Sequence, residues 1–424
     1  MEGGVTEGEK NRWFIGYLFS NLAGGIISPL IPLFVVVYLG LSVFYVGITT
    51  SIVSLASIPA LIAWGNVSDS IKKRKIFILI GFVGSFAALI PISLAVNLTV
   101  YLFIQITFQI LAMASVPVST LIIMENVEKS KWPGVMSRFN LIASLGTLIG
   151  LFVGTILLEF VGSSGKFLVF LYELASFVYL IAALFTFLFV PEPGKVLSRK
   201  NLERIHSVRI VERIRFFPPT IIHFVGIGKG AGKLKTDMWA YLFCTCLLMT
   251  AFQLYFVPFP VYIIEKLHGT SFTVFVMYLL NSFFGTIAYR FTGRVVQKFG
   301  IKRVLAGALS TRVGLFSAMS VVPFIMFIHL NFLYFALAFY GVMGGLWGFI
   351  GISEVSYISR IAEEHTKGKA IGYYNSLNGL GQIIGGVSSG VIAEIYGYGV
   401  DFVIALLLVV AGSALIIKVM RNTD

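Results

Sequence analysis

Two charged segments carry the chain's most specific side-chain spacing. Residues 65–75 read GNVSDSIKKRK and residues 293–303 read GRVVQKFGIKR. The first sets Asp69 four positions after Gly65 and just ahead of Lys72, Lys73, Arg74 and Lys75. A carboxylate at a tight turn between helices can accept hydrogen bonds from the free N–H groups of a neighbouring helix N-terminus, where the helix dipole favours negative charge. The second segment keeps Gly293, Arg294, Gly300 and Arg303 but holds Gln297 in the acid's position. This is chemistry of docking and ion pairing rather than of bond making. No intramembrane His pair, metal-ligand cluster or nucleophile–base set is visible, so no enzyme, metal or cofactor is expected.

Other candidates stand inside apolar runs. Glu173 and Arg312 are read as the two ionisable side chains deep in such runs, where a charge costs about 2.5–3.5 kcal/mol and is a functional candidate by default. Glu173 is the candidate proton-coupling carboxylate. The depths of the two differ by about one helical turn, which would allow an ion pair between them; local structural pairing is the other reading. Neutral candidates are Tyr17 with Asn21 and Gln105 with Gln109, each pair at i, i+4, then Gln253, and Tyr340 with Trp347 at i, i+7. Each pair shares a helical face. Asn281, Asn378 and Gln382 add further polarity. Such side chains either line a solute cavity or hold helices together.

The elements that must position these residues follow from composition. Of 424 residues, 57% are hydrophobic and 12% charged; soluble domains are about 45–50% apolar and about 25% charged. Apolar runs fall near 13–38, 43–64, 76–96, 99–123, 138–160, 167–190, 239–264, 271–292, 303–327, 331–355, 370–393 and 399–419. Spans of about 20 residues without β alternation read as transmembrane helices, since lipid leaves no other partner for the backbone. The expected fold is an all-α polytopic membrane protein of twelve spans. The net charge of +13 reports orientation rather than nucleic-acid binding. Of 32 Lys and Arg, 29 fall in alternate loops and at the two ends, which places both termini in the cytoplasm. The first run is too long for a signal peptide. Cys244 and Cys246, two apart in one run, form no disulfide framework.

The chain repeats itself. Asn140, Gly146, Gly150, Glu159 and Gly162 recur as Asn375, Gly381, Gly385, Glu394 and Gly397, all offset by 235. Pro32, Gly65 and Glu125 recur as Pro260, Gly293 and Glu354 at offsets of 228, 228 and 229. Two six-helix halves are expected, at 1–190 and 239–424, joined by a basic linker at 191–238. Duplicated halves with a solute site between them are a common transporter design.

The paired segments resemble the loop signature of the major facilitator superfamily, G-x-x-x-D-x-x-G-[RK]-x-[RK]. The first keeps Gly65, Asp69, Lys73 and Lys75, with Lys72 in a glycine position; the second keeps Gly293, Gly300 and Arg303. The resemblance implies that Asp69 closes the cytoplasmic side against the start of the eleventh span. Glu125 and Glu354, at the cytoplasmic ends of the fourth and tenth, are then placed to pair with Arg74 and with Arg294 or Lys302. It also makes the third, sixth, ninth and twelfth spans peripheral, which argues against solute contact by Glu173 or Arg312.

The expected function is alternating-access secondary transport of a small neutral or hydrophobic solute across the plasma membrane. Export by antiport with protons is favoured; uptake of sugars or other neutral nutrients, lipid movement and a non-transporting receptor are the alternatives. Partners are the solute, protons and membrane lipids, with a monomer expected and no nucleic acid. In the linker, GIGKGAGK at 226–233 lacks the first glycine and the final Ser/Thr of a phosphate loop. Residues 199–217 read as a basic amphipathic helix, lying on the anionic leaflet or packed beneath the bundle.

Overall fold

A computed structural model describes residues 12–71, 73–126, 132–162, 164–190, 236–325, 332–362 and 367–420. The linker and its amphipathic stretch therefore lie outside the described residues. Twelve helical spans are present: α1 Phe14–Leu33, α2 Val43–Ile71, α3 Arg74–Leu89, α4 in two segments Leu98–Ala112 and Val116–Asn126, α5 Trp132–Val161 and α6 Gly165–Phe189. The second set is α7 in two segments Thr236–Phe256 and Phe259–Glu265, α8 Ser271–Phe299, α9 Ile301–Ile325, α10 Leu333–Ile361, α11 Lys367–Tyr396 and α12 Tyr398–Val419. Among the described residues there is no strand. Among the described residues, eleven spans are long and apolar enough to cross a membrane. The twelfth, α11, spends seven of its 30 positions on glycine.

Regular helix gives way near some of the prolines, though Pro59 and Pro323 sit inside continuous helices. Pro29 and Pro32 lie inside α1, which relaxes into a π turn over Phe34–Tyr38; Pro258 separates the two segments of α7. Each proline removes an N–H and crowds the preceding turn. The interruption of α4 at 113–115 was not foreseen. There Tyr17 Oη donates to the Ser115 carbonyl at 2.9 Å, giving one backbone acceptor at the break a partner from α1.

Internal symmetry explains the repeated glycines. A Cβ on Gly146 would meet the α1 backbone at Leu18, and one on Gly150 the backbone at Leu22; their repeats Gly381 and Gly385 meet α7 at Cys246 and Thr250. The contacted positions are themselves 228 apart. The two glycine pairs thus do one job twice, seating α5 on α1 and α11 on α7. Gly162 and Gly397 close the turns after α5 and α11 with φ of +91° and +84°, a region that side chains disfavour. In each half the first helix is central: α1 packs on α5 and α6, α7 on α11 and α12.

The halves touch along two seams, α2 with α11 and α5 with α8. Both seams lie toward the end opposite the basic loops. Gly47 faces Gly386 and Gly390, Gly390 faces Phe44, and Ser51 Oγ donates to the Ile383 carbonyl at 3.0 Å. Gly154 of α5 meets the ring of Phe275 on α8. Toward the basic end, positions Gly65, Gly293 and Gly372 of the same helices have no neighbour within 4 Å of an added Cβ. Among the described residues the close glycine contacts between the halves thus lie at the far end and, at Gly379 against Ile58, near the middle of α2 and α11, and none lies at the basic end.

Candidate substrate site between the halves

The charged signature forms the turn between α2 and α3. Arg74, the first residue of α3, is buried, and its Nη1 donates to the Ser68 carbonyl at 2.9 Å and the Ser68 hydroxyl at 2.8 Å. This satisfies one of the last carbonyls of α2, which have no partner within their own helix. Lys73 is exposed, and the Lys75 ammonium sits 5.2 Å from the Phe187 ring centroid on α6. Asp69 lies in the last turn of α2, but its side chain and that of Glu125 are outside the described residues, so neither expected contact is seen. In the second copy, Gly300 makes the α8–α9 turn with φ +83°, while Arg294 and Arg303 are exposed.

Glu354 corrects the expectation drawn for it. It is buried on α10 and accepts a hydrogen bond from Tyr374 Oη of α11 at 2.7 Å. Among the described residues it pairs with neither Arg294 nor Lys302, whose Nζ donates instead to the Met420 carbonyl at 2.8 Å. Glu354 lies two turns inside the end of its helix, too deep for a surface pair.

The neutral candidates divide. Gln105 is fully buried inside the N-terminal half, where its Nε2 donates to Tyr172 Oη at 2.9 Å; Tyr172 in turn shares a 2.8 Å hydrogen bond with Tyr101. It fastens α4 to α6 and does not line a cavity. Tyr17 is buried against Phe82 and Phe139 with its hydroxyl on Ser115. Asn21 turns its amide onto the Tyr17 carbonyl at 2.8 Å, and Asn281 donates to the Tyr340 carbonyl at 2.8 Å, tying α8 to α10. Tyr340 stacks on Phe259 in the C-terminal core. Asn21, Gln109 and Gln253 remain half-buried, and Trp347 is 36% exposed. Trp347 lies about 120–140° around α10 from the exposed Phe335 and Val342. Its exposure is thus to the gap between the halves rather than to lipid.

Tyr172→Phe is expected to remove both hydrogen bonds at once and cost about 1–3 kcal/mol. Detergent melting curves should show the loss, and the KM of transport should not change. A changed KM with unchanged melting would put Gln105 back in the cavity.

Arg312 and Glu173 are not brought together. Glu173 is half-buried on α6. Arg312 is 1% exposed and, although α9 is peripheral, its side chain reaches inward between α7 and α10. The guanidinium carbon sits 4.1 Å from the Phe252 ring centroid, 5.6 Å from Phe256 and 5.7 Å from Trp347, and Nη2 approaches the Met343 carbonyl at 3.4 Å. A cation thus lies behind the faces of α7 and α10, because a long side chain crosses to them from α9. One further acid escaped the sequence reading. Asp401, in the first turn of α12, is fully buried, and neither carboxylate oxygen has a hydrogen-bond partner among the described residues. It sits at the start of its apolar run, where a charge reads as a flanking residue.

Comparison with known proteins fits this geometry. A family profile described as Major Facilitator Superfamily matches residues 13–353. No curated protein sequence matches. Among solved structures, a point variant of the nucleoside transporter NupG superposes with a TM-score of 0.77 at 14% identity, covering 97% of this chain and 100% of that one. A D-xylose–proton symporter gives 0.72 at 14% identity with 98% of each chain covered. A bacterial homologue of the human lysosomal transporter Spinster, in an inward-facing and unoccupied conformation, gives 0.70 at 12%, again over 98% of each. At these identities the likeness is one of fold. With twelve spans, a duplicated six-helix plan and the family profile over most of its length, the chain is a multi-pass membrane transporter of the Major Facilitator Superfamily.

Proposed function

We propose that this protein moves a small, largely apolar organic solute by alternating access, its two halves (1–190 and 239–424) rocking about the gap between them. The observation that carries the reading is the one-ended closure: glycine seams α2–α11 and α5–α8 join the halves at the far end, whereas among the described residues Gly65, Gly293 and Gly372 of the same helices meet no neighbour toward the basic end. The positive-inside bias assigns the basic end, both termini and the 191–238 linker to the cytoplasm, so this is the inward-facing state in a plasma membrane. The solved Spinster homologue, described as inward-facing, is similar in fold.

Closure of the basic end then falls to the signature turn. Asp69 would dock on the cytoplasmic start of α11, where free N–H groups favour an anion. For proton coupling, burial on α10 beside the gap and a tyrosine hydrogen bond support Glu354 over the more peripheral Glu173. The exposed Trp347 and the half-buried amides Asn21, Gln109 and Gln253 fit the wall of a solute site, which is mostly apolar with a few polar groups. The transporting form is taken to be monomeric and embedded in lipid.

The test uses the full chain in liposomes with an imposed pH gradient and a pH-sensitive dye inside. Lipophilic cations, neutral drugs, sugars, amino acids and aromatic acids are screened against protein-free liposomes. Compound-dependent proton flux is expected, with its sign reading export or uptake. Asp69→Asn should cut that flux about tenfold, the loss of roughly one charge-assisted hydrogen bond, with wild-type yield and melting. Binding without flux or labelled-solute counterflow, for every compound, would contradict transport and favour a receptor.

A further inference from the structure

Arg312 presents five N–H donors, and the fold satisfies few of them. Its Nε and Nη1 have no hydrogen-bond partner among the described residues, and the contact from Nη2 to Met343 is long at 3.4 Å. Unmade hydrogen bonds of a buried charged group cost several kcal/mol, and a charge at membrane depth adds to that cost. Aromatic faces repay part: rings of Phe252, Phe256 and Trp347 surround the guanidinium within 6 Å. They supply no acceptor.

The charge that could complete the site from within is Glu354. It is near enough to interact electrostatically with Arg312 but makes no hydrogen bond to it. The Glu354 carboxylate accepts from Tyr374 on the neighbouring helix instead, and seven residues, about 10 Å of helix, separate it from Trp347. The donors at Nε and Nη1 thus have no partner among the described residues where the Arg312 side chain meets Phe252, Phe256 and Trp347. Trp347, packed edge-on to Phe252 at 6.1 Å and open to the gap, is the cover between them and the cavity.

We infer that Arg312, with Phe252, Phe256 and Trp347, forms the recognition site for the carboxylate of a small aromatic acid entering from the gap between the halves. The inference rests on the transport reading above and names its substrate class. The guanidinium's planar fork matches a carboxylate bidentately. The rings that hold it offer a flat body stacked or edge-on contacts. A phosphate monoester fits less well: its second negative charge would want a further cation, and Glu354 would repel a dianion more than a monoanion. An uncharged isostere would leave the donors unpaired, the situation in which a hydrogen-bonding site discriminates most strongly.

The experiment is direct binding to the full chain in nanodiscs of zwitterionic lipid, without flux. Benzoate and indole-3-carboxylate are compared with benzamide and indole-3-carboxamide by calorimetry. The acids are expected to bind at least about tenfold tighter than the amides. Arg312→Gln should remove that preference by weakening the acids alone, and Arg312→Lys, which keeps charge but not the fork, should fall between. Equal affinity for acid and amide in the wild-type protein, or no acid binding at millimolar concentration, would overturn the inference without any variant needing to fold. Acid binding with no flux or counterflow in liposomes would keep this site and overturn transport. Flux of neutral solutes without acid preference would do the reverse.

Discussion

Gly150→Val is expected to abolish recovery of monodisperse protein. A Cβ at this position would overlap the Leu22 carbonyl of α1, with the Leu22 carbonyl carbon only 2.9 Å away. The obstacle is backbone in the most central helix of the N-terminal half, and it cannot rotate aside as a side chain would. The seam must open by roughly an ångström, loosening Gly146 against Leu18 one turn away and Gly25 against Thr147. Overpacking of this kind costs about 1–3 kcal/mol, occasionally more, and valine adds two methyl groups to the clash. Gly307→Val is the control: nothing lies within 4 Å of its Cβ, so the effect should stay within about 0.5 kcal/mol. Fluorescence-detected size exclusion across a temperature series reads both. Equal melting of the two variants would deny the α1–α5 seam.

Gly47→Leu should act on conformation rather than on folding. The nearest neighbours of Gly47 lie in the other half: a Cβ there would come within 2.5 Å of the Gly386 carbonyl oxygen and 3.0 Å of Gly390 Cα, both across the seam on α11. Each half can keep its own packing while the contact between them is pushed apart. A penalty of about 1–3 kcal/mol on the far-end-closed state shifts its population by roughly five- to over a hundredfold. Transport should fall by a similar factor, because the cycle must return through that state, and melting of the halves should change little. Loss of folding equal to that of Gly150→Val would make the α2–α11 seam a fixed core instead of a moving contact.

Much of this architecture is legible in the sequence because lipid allows few solutions. Twelve apolar runs became twelve helices since backbone groups in a bilayer have no partner but their own helix. The repeat was readable because glycine has no substitute where two backbones touch: Gly146 and Gly150 reappear as Gly381 and Gly385 in the same contact. Side-chain destinations were less legible. Gln105 and Gln109 share a helical face, yet Gln105 is consumed by Tyr172, a residue 67 positions away that no local pattern connects to it. Glu354 and Asp401 sit near the ends of apolar runs, where a charge reads as a flank; in three dimensions both ends are covered by neighbouring helices. Arg312 belongs to a helix packed on α8, α10 and α12, but an arginine is long enough to act on the far side of the layer it belongs to.

The central claim is that far-end and basic-end contacts are alternatives. Spin labels at Ser42 and Ile395 report the far end of α2 and α11, and labels at Ile71 and Asn375 the basic end, in a background lacking Cys244 and Cys246. Distances by pulsed electron resonance are compared between the wild-type protein and Gly47→Leu. The account predicts that the substitution lengthens the far-end distance and shortens the basic-end distance in the same fraction of molecules. A longer far-end distance with an unchanged basic end would contradict rocking of two halves about a common site.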